Sequence, residues 1–246
     1  MMKLITGFFM AWGNFLTLPC PLKRWDNDLK NYMLGFLPSV GLIIGLIWAG
    51  VSLLLAVLPI PFLVTAFLLT MVPFVLSGFL HLDGFMDVTD AVKSCRSLER
   101  RREILKDSHV GSFAVIGLCM LLLAQFAVFS SVPGEKNCLI LLFLPAVSRC
   151  CSALAVTALP SMSTSQYAAQ KKPASHLAVL TGMLCLFVVL GFALCGLCGF
   201  ALIGCIVGYG LALRRGYRSL AGMNGDIAGY ALTISELCGA AVFALL

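Results

Sequence analysis

Asp83, Asp87 and Asp90 recur at i, i+4 and i+7 within GFLHLDGFMDVTDAVKSCRSLERRREILKDSHVG, residues 78–111. On a helix that spacing stacks the three carboxylates on one face over two turns. Like charges so placed repel one another, and a cation among them relieves the repulsion. Such a face suits a hard divalent ion such as Mg²⁺, which completes its shell with water and substrate phosphate. The plainer alternative is a solvated helix start, where acids complement the helix dipole. Asp107 and Ser108 precede the next apolar run and add a fourth metal or phosphate contact, or else a simple N-cap. His81 is a general base, a metal ligand or an interfacial histidine, since imidazoles ordinarily titrate near neutrality.

Basic residues follow the acids. Arg96, Arg100 and Lys106 suit phosphate oxygens and charge on a leaving group, whereas Arg101 and Arg102 read better as topological charge. Glu99 and Glu103 pair with these bases at helical spacing. Farther on, Glu236 lies in an apolar run, where an ionisable residue marks either function or a buried pair, and Arg149 is its candidate partner. Gly222, Gly225 and Gly229 surround Asp226 and permit close backbone approach to a substrate.

The elements that must position these groups are helices in a membrane. The 246 residues are 60% hydrophobic and only 11% charged, against roughly 25% charged in a soluble domain. Mean hydropathy is +1.00. Apolar runs near the ~20 residues needed to cross a bilayer fall at about 32–57, 62–80, 111–131, 138–159, two within 176–213, and 227–246. The expectation is an all-α, polytopic membrane bundle of six or seven spans, forming a single domain over residues 1–246. Residues 1–18 lack a cleavage site and read as an interfacial or re-entrant helix. Gly41 and Gly45 form a G-x-x-x-G that permits close helix approach. Pro59–Pro61 and residues 133–136 are turns, and residues 160–175 are a polar loop.

Charge fixes the expected orientation. Placing 1–31, 81–110, 160–175 and 214–226 on one side gathers fifteen of seventeen Lys and Arg there, with nine of eleven acids. That side is expected to be cytoplasmic, in a cell inner membrane. The net charge of +6 is then loop topology and implies no nucleic-acid partner. Cys195 and Cys198 form a lone C-x-x-C without nearby histidines and read as helix contacts.

GFLHLDGFMDVTDAV followed by RREILKDSHVGSFAV resembles the signature of adenosylcobinamide-GDP ribazoletransferases, also called cobalamin (5′-phosphate) synthases. NFLTLPCP, LPSVGLIIGL, LPAVSR and GMNGDIAGYALTISEL resemble that family's other motifs, in order, over most of the chain. Four positions depart from the pattern: Ala91, where Gly is frequent, His109 for Arg, Ala114 for Gly and Asn224 for Thr. None removes a carboxylate.

The resemblance implies a Mg²⁺-dependent membrane enzyme that joins adenosylcobinamide-GDP to α-ribazole or its 5′-phosphate and releases GMP. Its acidic motif falls on Asp83, Asp87, Asp90 and Asp107 as metal ligands, with Asp83, Asp87 and His81 as catalytic candidates. Arg96, Arg100, Lys106, Ser108, Asp226 and Glu236 are the candidate substrate contacts. A homo-oligomer or association with other cobalamin-assembly enzymes is compatible with such a role. Two other readings stay open: a CDP-alcohol phosphotransferase or prenyltransferase, and a transporter. The first expects D-G-x-x-A-R, which Asp83-Gly84 does not continue, or a second aspartate-rich motif. The second needs polar groups along a pore, for which only Arg149 and Glu236 qualify.

Overall fold

The computed structural model describes residues 2–132, 138–163, 165 and 174–246. Helix α1 (Met2–Phe15) and the short α2 (Lys30–Gly35) precede the apolar α3 (Leu37–Val57). Then come α4 (Phe62–Leu76), α5 (Leu80–Lys93), α6 (Leu98–Ile104), α7 (Ser112–Phe129) and α8 (Ile140–Ala158). Finally, α9 (Ala174–Cys195), α10 (Phe200–Leu220) and α11 (Gly225–Leu245) complete the bundle. Among the described residues, five helical runs are long and apolar enough to cross a membrane, and the α4–α5 pair, bent by 91°, makes a sixth if taken as one broken span. The polytopic helical bundle expected from composition is the fold observed.

The longest run, Ala174–Leu220, has 47 residues. Straight, it would reach about 70 Å, over twice the ~30 Å hydrocarbon thickness. It turns instead at Gly196, whose φ of +58° only glycine adopts readily, and Phe200 returns to meet Phe192 edge-on at 5.1 Å. That turn is where two spans were expected to meet. By contrast α1, with 14 residues, spans only about 21 Å. It buries Thr6, Gly7, Met10, Ala11 and Phe15, and Gly7 seats it against Tyr32 of α2.

The core is built on α8, buried along most of its length. Gly41 and Gly45 of α3 face its backbone so closely that a β-carbon on either would fall on the carbonyl of Pro145 or Leu142. The G-x-x-x-G spacing thus does what it promised.

Hydrogen bonds tie together the segments that charge assigned to one side. Met162 N–H donates to Met223 O at 2.9 Å, which joins 160–175 to 214–226. Arg102 donates from Nε to Leu220 O at 3.0 Å and from Nη2 to Ala221 O at 2.8 Å. Those carbonyls end α10 at Ala221, which has left-handed backbone, so Arg102 caps a helix C-terminus. It was expected to be topological charge; the fold gives it a defined partner as well. The turn expected at 133–136 and most of the loop at 160–175 lie outside the described residues.

Candidate active site

The site begins where α4 gives way to α5. Gly78 and Phe79 take φ of +61° and +60°, and the chain swings by 91° between the helices. The segment after α1 secures this corner: Thr17 Oγ1 donates to Val75 O at 3.2 Å, near the end of α4. Phe15 stacks on His81 with ring centres 6.3 Å apart. The first turn of α5 is therefore fastened to the end of α1.

From there α5 presents two faces, as its period demands. Leu82, Phe85, Val88 and Ala91 are buried. Asp83 is exposed, and Asp87 and Asp90 are half-buried.

Two glycines bring α5 against α11. A β-carbon on Gly84 would lie 2.9 Å from the Asp226 carbonyl, and one on Gly229 would lie 3.3 Å from His81 backbone. Thr233 Oγ1 donates to His81 O at 3.2 Å, and Phe85 stacks on Tyr230 at 5.7 Å. Helix α11 starts at Gly225, with the Asn224 side chain accepting from Ile227 N–H at 3.0 Å. That is an N-cap, and it leaves Asp226 in the first turn, where a carboxylate complements the helix dipole. Asn224 Nδ2 also donates to Asp226 Oδ2 at 2.6 Å.

On its other flank α5 meets α7. Gly111 leaves room for the Asp90 carboxylate, which a β-carbon there would strike, and Gly117 faces Thr89.

This packing gives three adjoining cavities. One of about 180 Å³ is lined by Asn14, Phe15, His81, Asp83, Ser152, Asp226 and Gly229, among others. A cleft of about 20 Å³ collects Asp83, Asp87, Asp90, His109 and Gly111. A third cavity, of about 220 Å³, carries Arg102, Lys106, Ser163, Asn224 and Asp226. Asp83 borders the first two and Asp226 the first and third. Among the described residues, no three His, Cys, Asp or Glu side chains converge as they stand to hold a metal. The donors are nevertheless all carboxylate oxygens, the type Mg²⁺ takes one or two at a time alongside substrate phosphate.

A family model for cobalamin-5-phosphate synthase matches residues 7–244. The chain belongs to that family. It is 33% identical over 244 residues to a Clostridium botulinum (strain Alaska E43 / Type E3) protein named adenosylcobinamide-GDP ribazoletransferase, covering 97% of each chain. A Clostridium perfringens (strain SM101 / Type A) protein of the same name is 35% identical over 241 residues, 94% of each. One from Desulfitobacterium hafniense (strain Y51) is 34% identical over 237 residues, 91% of each. No solved structure matches the chain at a significant level. The protein is a transferase of cobalamin biosynthesis.

The expected site residues fall into two groups. Asp83, Asp87, Asp90, Asp226, His81 and Lys106 line the three cavities. The others lie elsewhere. Arg96 and Ser108 are exposed and line none of the three. Arg100 pairs with Glu103 at 2.7 Å. Asp107 is exposed and accepts from the His109 N–H at 3.0 Å and meets the His109 ring at 2.7 Å. Those two contacts hold its carboxyl below the ordinary carboxylate range; the cleft beside it is lined by His109. Glu236 is buried with Arg149, 2.6 Å from its Nη1, and also accepts from Ser148 Oγ at 2.8 Å. The structure adds Asn14 and Ser152 to the central cavity. Neither stands in a cluster of charge, so spacing alone gave no signal for them.

Proposed function

We propose that the protein transfers the adenosylcobinamide-phosphate group from adenosylcobinamide-GDP to α-ribazole or its 5′-phosphate, with Mg²⁺, at the cytoplasmic face of a cell inner membrane. The observation that carries this reading is the junction of α5 and α11. There, Gly84 lets Asp83 and Asp226, 143 positions apart in sequence, border one cavity.

A ribazole hydroxyl attacks the phosphorus nearest the corrinoid. The new O–P bond forms as the bond to the GMP oxygen breaks, and GMP leaves with that electron pair. The hydroxyl proton passes to a carboxylate, for which Asp83 is best placed, being exposed and bordering two cavities. Asp83, Asp87, Asp90 and Asp226 would hold Mg²⁺, which when bound neutralises diphosphate charge. Lys106, at the cavity bordered by Asp226, offers a cation to phosphate oxygens. His81 forms one wall of the central cavity, with no hydrogen-bond partner at Nε2.

The test is direct. Membranes holding the protein are incubated with adenosylcobinamide-GDP and α-ribazole, with and without Mg²⁺, and GMP is measured. GMP that forms only when donor, acceptor and Mg²⁺ are all present supports the reading. Absence of GMP from folded protein with all three present contradicts it.

A further inference from the structure

A cavity of about 400 Å³ lies outside the acidic site, between α1 and the segment that follows it. Its size falls in the ~300–1,000 Å³ range of small-molecule sites. Phe9 and Met10 supply apolar wall, and Lys23, Arg24 and Trp25 supply charge and an aromatic face. All three of the latter are exposed. The Trp25 ring is held in place: its indole N–H donates to Asn27 Oδ1 at 3.0 Å, and the Lys30 ammonium lies 5.9 Å from the ring centre. Asn14 lines this cavity and the central acidic one alike, so the two adjoin.

We propose that this cavity is the subsite for the guanosine diphosphate end of the donor, an inference that rests on the transfer reaction proposed above. A purine base needs a flat aromatic or apolar wall, which Trp25 and Phe9 provide. A diphosphate needs cations, and among the described residues neither Lys23 nor Arg24 is in an ion pair. The central acidic cavity carries no Lys or Arg in its lining, so Lys23 and Arg24 would add side-chain cations to the charge that Mg²⁺ supplies there.

In-line displacement puts the entering and leaving oxygens on opposite sides of phosphorus. With the base at Trp25, the phosphates run past Asn14 and bring the reacting phosphorus to Asp83 and Asp226. The leaving GMP then stays on the Lys23–Arg24 side. The acceptor enters from the opposite side, where Lys106 lies beyond Asp226. That opposite cavity suits a diphosphate less well, because its Arg102 is committed to the carbonyls of Leu220 and Ala221.

The experiment titrates GDP into the full-length protein in nanodiscs and follows tryptophan fluorescence and, separately, calorimetry. Wild type is compared with Trp25→Leu and with the double variant Lys23→Gln/Arg24→Gln, whose folding is checked by thermal melting. Saturable GDP binding that weakens by about tenfold or more in both variants is the expected result, from loss of the stacking face in one and of charge-assisted contacts in the other. α-Ribazole added in excess leaves the GDP titration unchanged. Failure of wild type to bind GDP, unchanged affinity in either variant, or displacement by α-ribazole overturns the subsite. Nanodiscs with and without anionic lipid separate a nucleotide from a headgroup: loss of GDP binding in anionic discs assigns the cavity to lipid and overturns it too. GMP release distinguishes the two levels of the reading. Intact GDP binding without any GMP release sinks the transfer reaction alone. Normal GMP release with an unchanged donor KM in the double variant sinks the subsite alone.

Discussion

Helix α11 carries two acids ten positions apart, and their surroundings are opposite. Glu236 sits in the bundle interior, 2.6 Å from Arg149 Nη1 and 2.8 Å from Ser148 Oγ, with both members of the ion pair almost fully buried. Asp226 sits at the helix start, beside Asn224, and borders two cavities that also receive Asp83 and Lys106. The interior acid has a charge partner and no opening. The terminal acid has an opening, like-charged neighbours and no ion pair among the described residues. A paired buried charge holds helices in register, whereas unpaired carboxylates around a cavity are placed for a ligand. On the proposed function, the difference separates a residue that holds the bundle together from one that serves the reaction.

The sharpest way to break that contrast is at the proposed catalytic residue. Asp83→Asn keeps the shape and removes the charge at the shared border of two cavities. We expect GMP release to fall by about 10²–10⁴-fold, the range of a positioned acid–base group, with an unchanged melting temperature. A variant that loses stability along with activity would place Asp83 in the structural class.

Glu236→Ala should behave in the reverse sense. Leaving Arg149 buried without its partner is expected to destabilise the fold by about 3–5 kcal/mol, seen as a lower melting temperature in detergent. GMP release per folded molecule should stay within a few-fold of wild type. A stable but inactive variant would move Glu236 into the site.

Gly84→Ala probes the junction itself. The added carbon would lie 2.9 Å from the Asp226 carbonyl, so α5 and α11 must part. Overpacking of this kind costs about 1–3 kcal/mol, and activity should fall with stability because Asp83 and Asp226 separate.

The smallest effect belongs to Asp107→Asn. That carboxylate is exposed and engaged with His109. The melting temperature should stay close to that of wild type, and activity should change little. A large loss of Mg²⁺-dependent activity would instead restore Asp107 as a metal ligand.

Much of this was legible because polar residues stand out against an apolar chain. The aspartate period of α5, the close approach at Gly41 and Gly45, and the turn at Gly196 all appear where the sequence points. So does the Arg149–Glu236 pair, since two lone charges in apolar helices have few other partners. The start of α11 was less clear. Hydropathy places the last span at 227, whereas the helix begins at Gly225, because an apolar window does not register a polar cap. Asn224, three residues before the Ile227 N–H that it accepts, was the available signal.

Arg102 was unreadable for a different reason. Its acceptors are backbone carbonyls of α10, and a carbonyl has no sequence signature. Asn14 reaches the cavity from α1, which Thr17 and Phe15 pin to the α4–α5 corner, and Ser152 reaches it from α8. Long-range placement of an uncharged side chain leaves no local pattern.

The most direct test of the central claim compares Asp226→Asn with wild type in the same membranes, measuring GMP release from adenosylcobinamide-GDP and α-ribazole as Mg²⁺ is raised. The account predicts that wild type responds to Mg²⁺ and that the variant, folded and inserted to the same extent, loses most of its turnover or needs far more Mg²⁺ to recover it. A variant whose release follows the wild-type Mg²⁺ curve would show that the α5–α11 junction is not where the chemistry occurs.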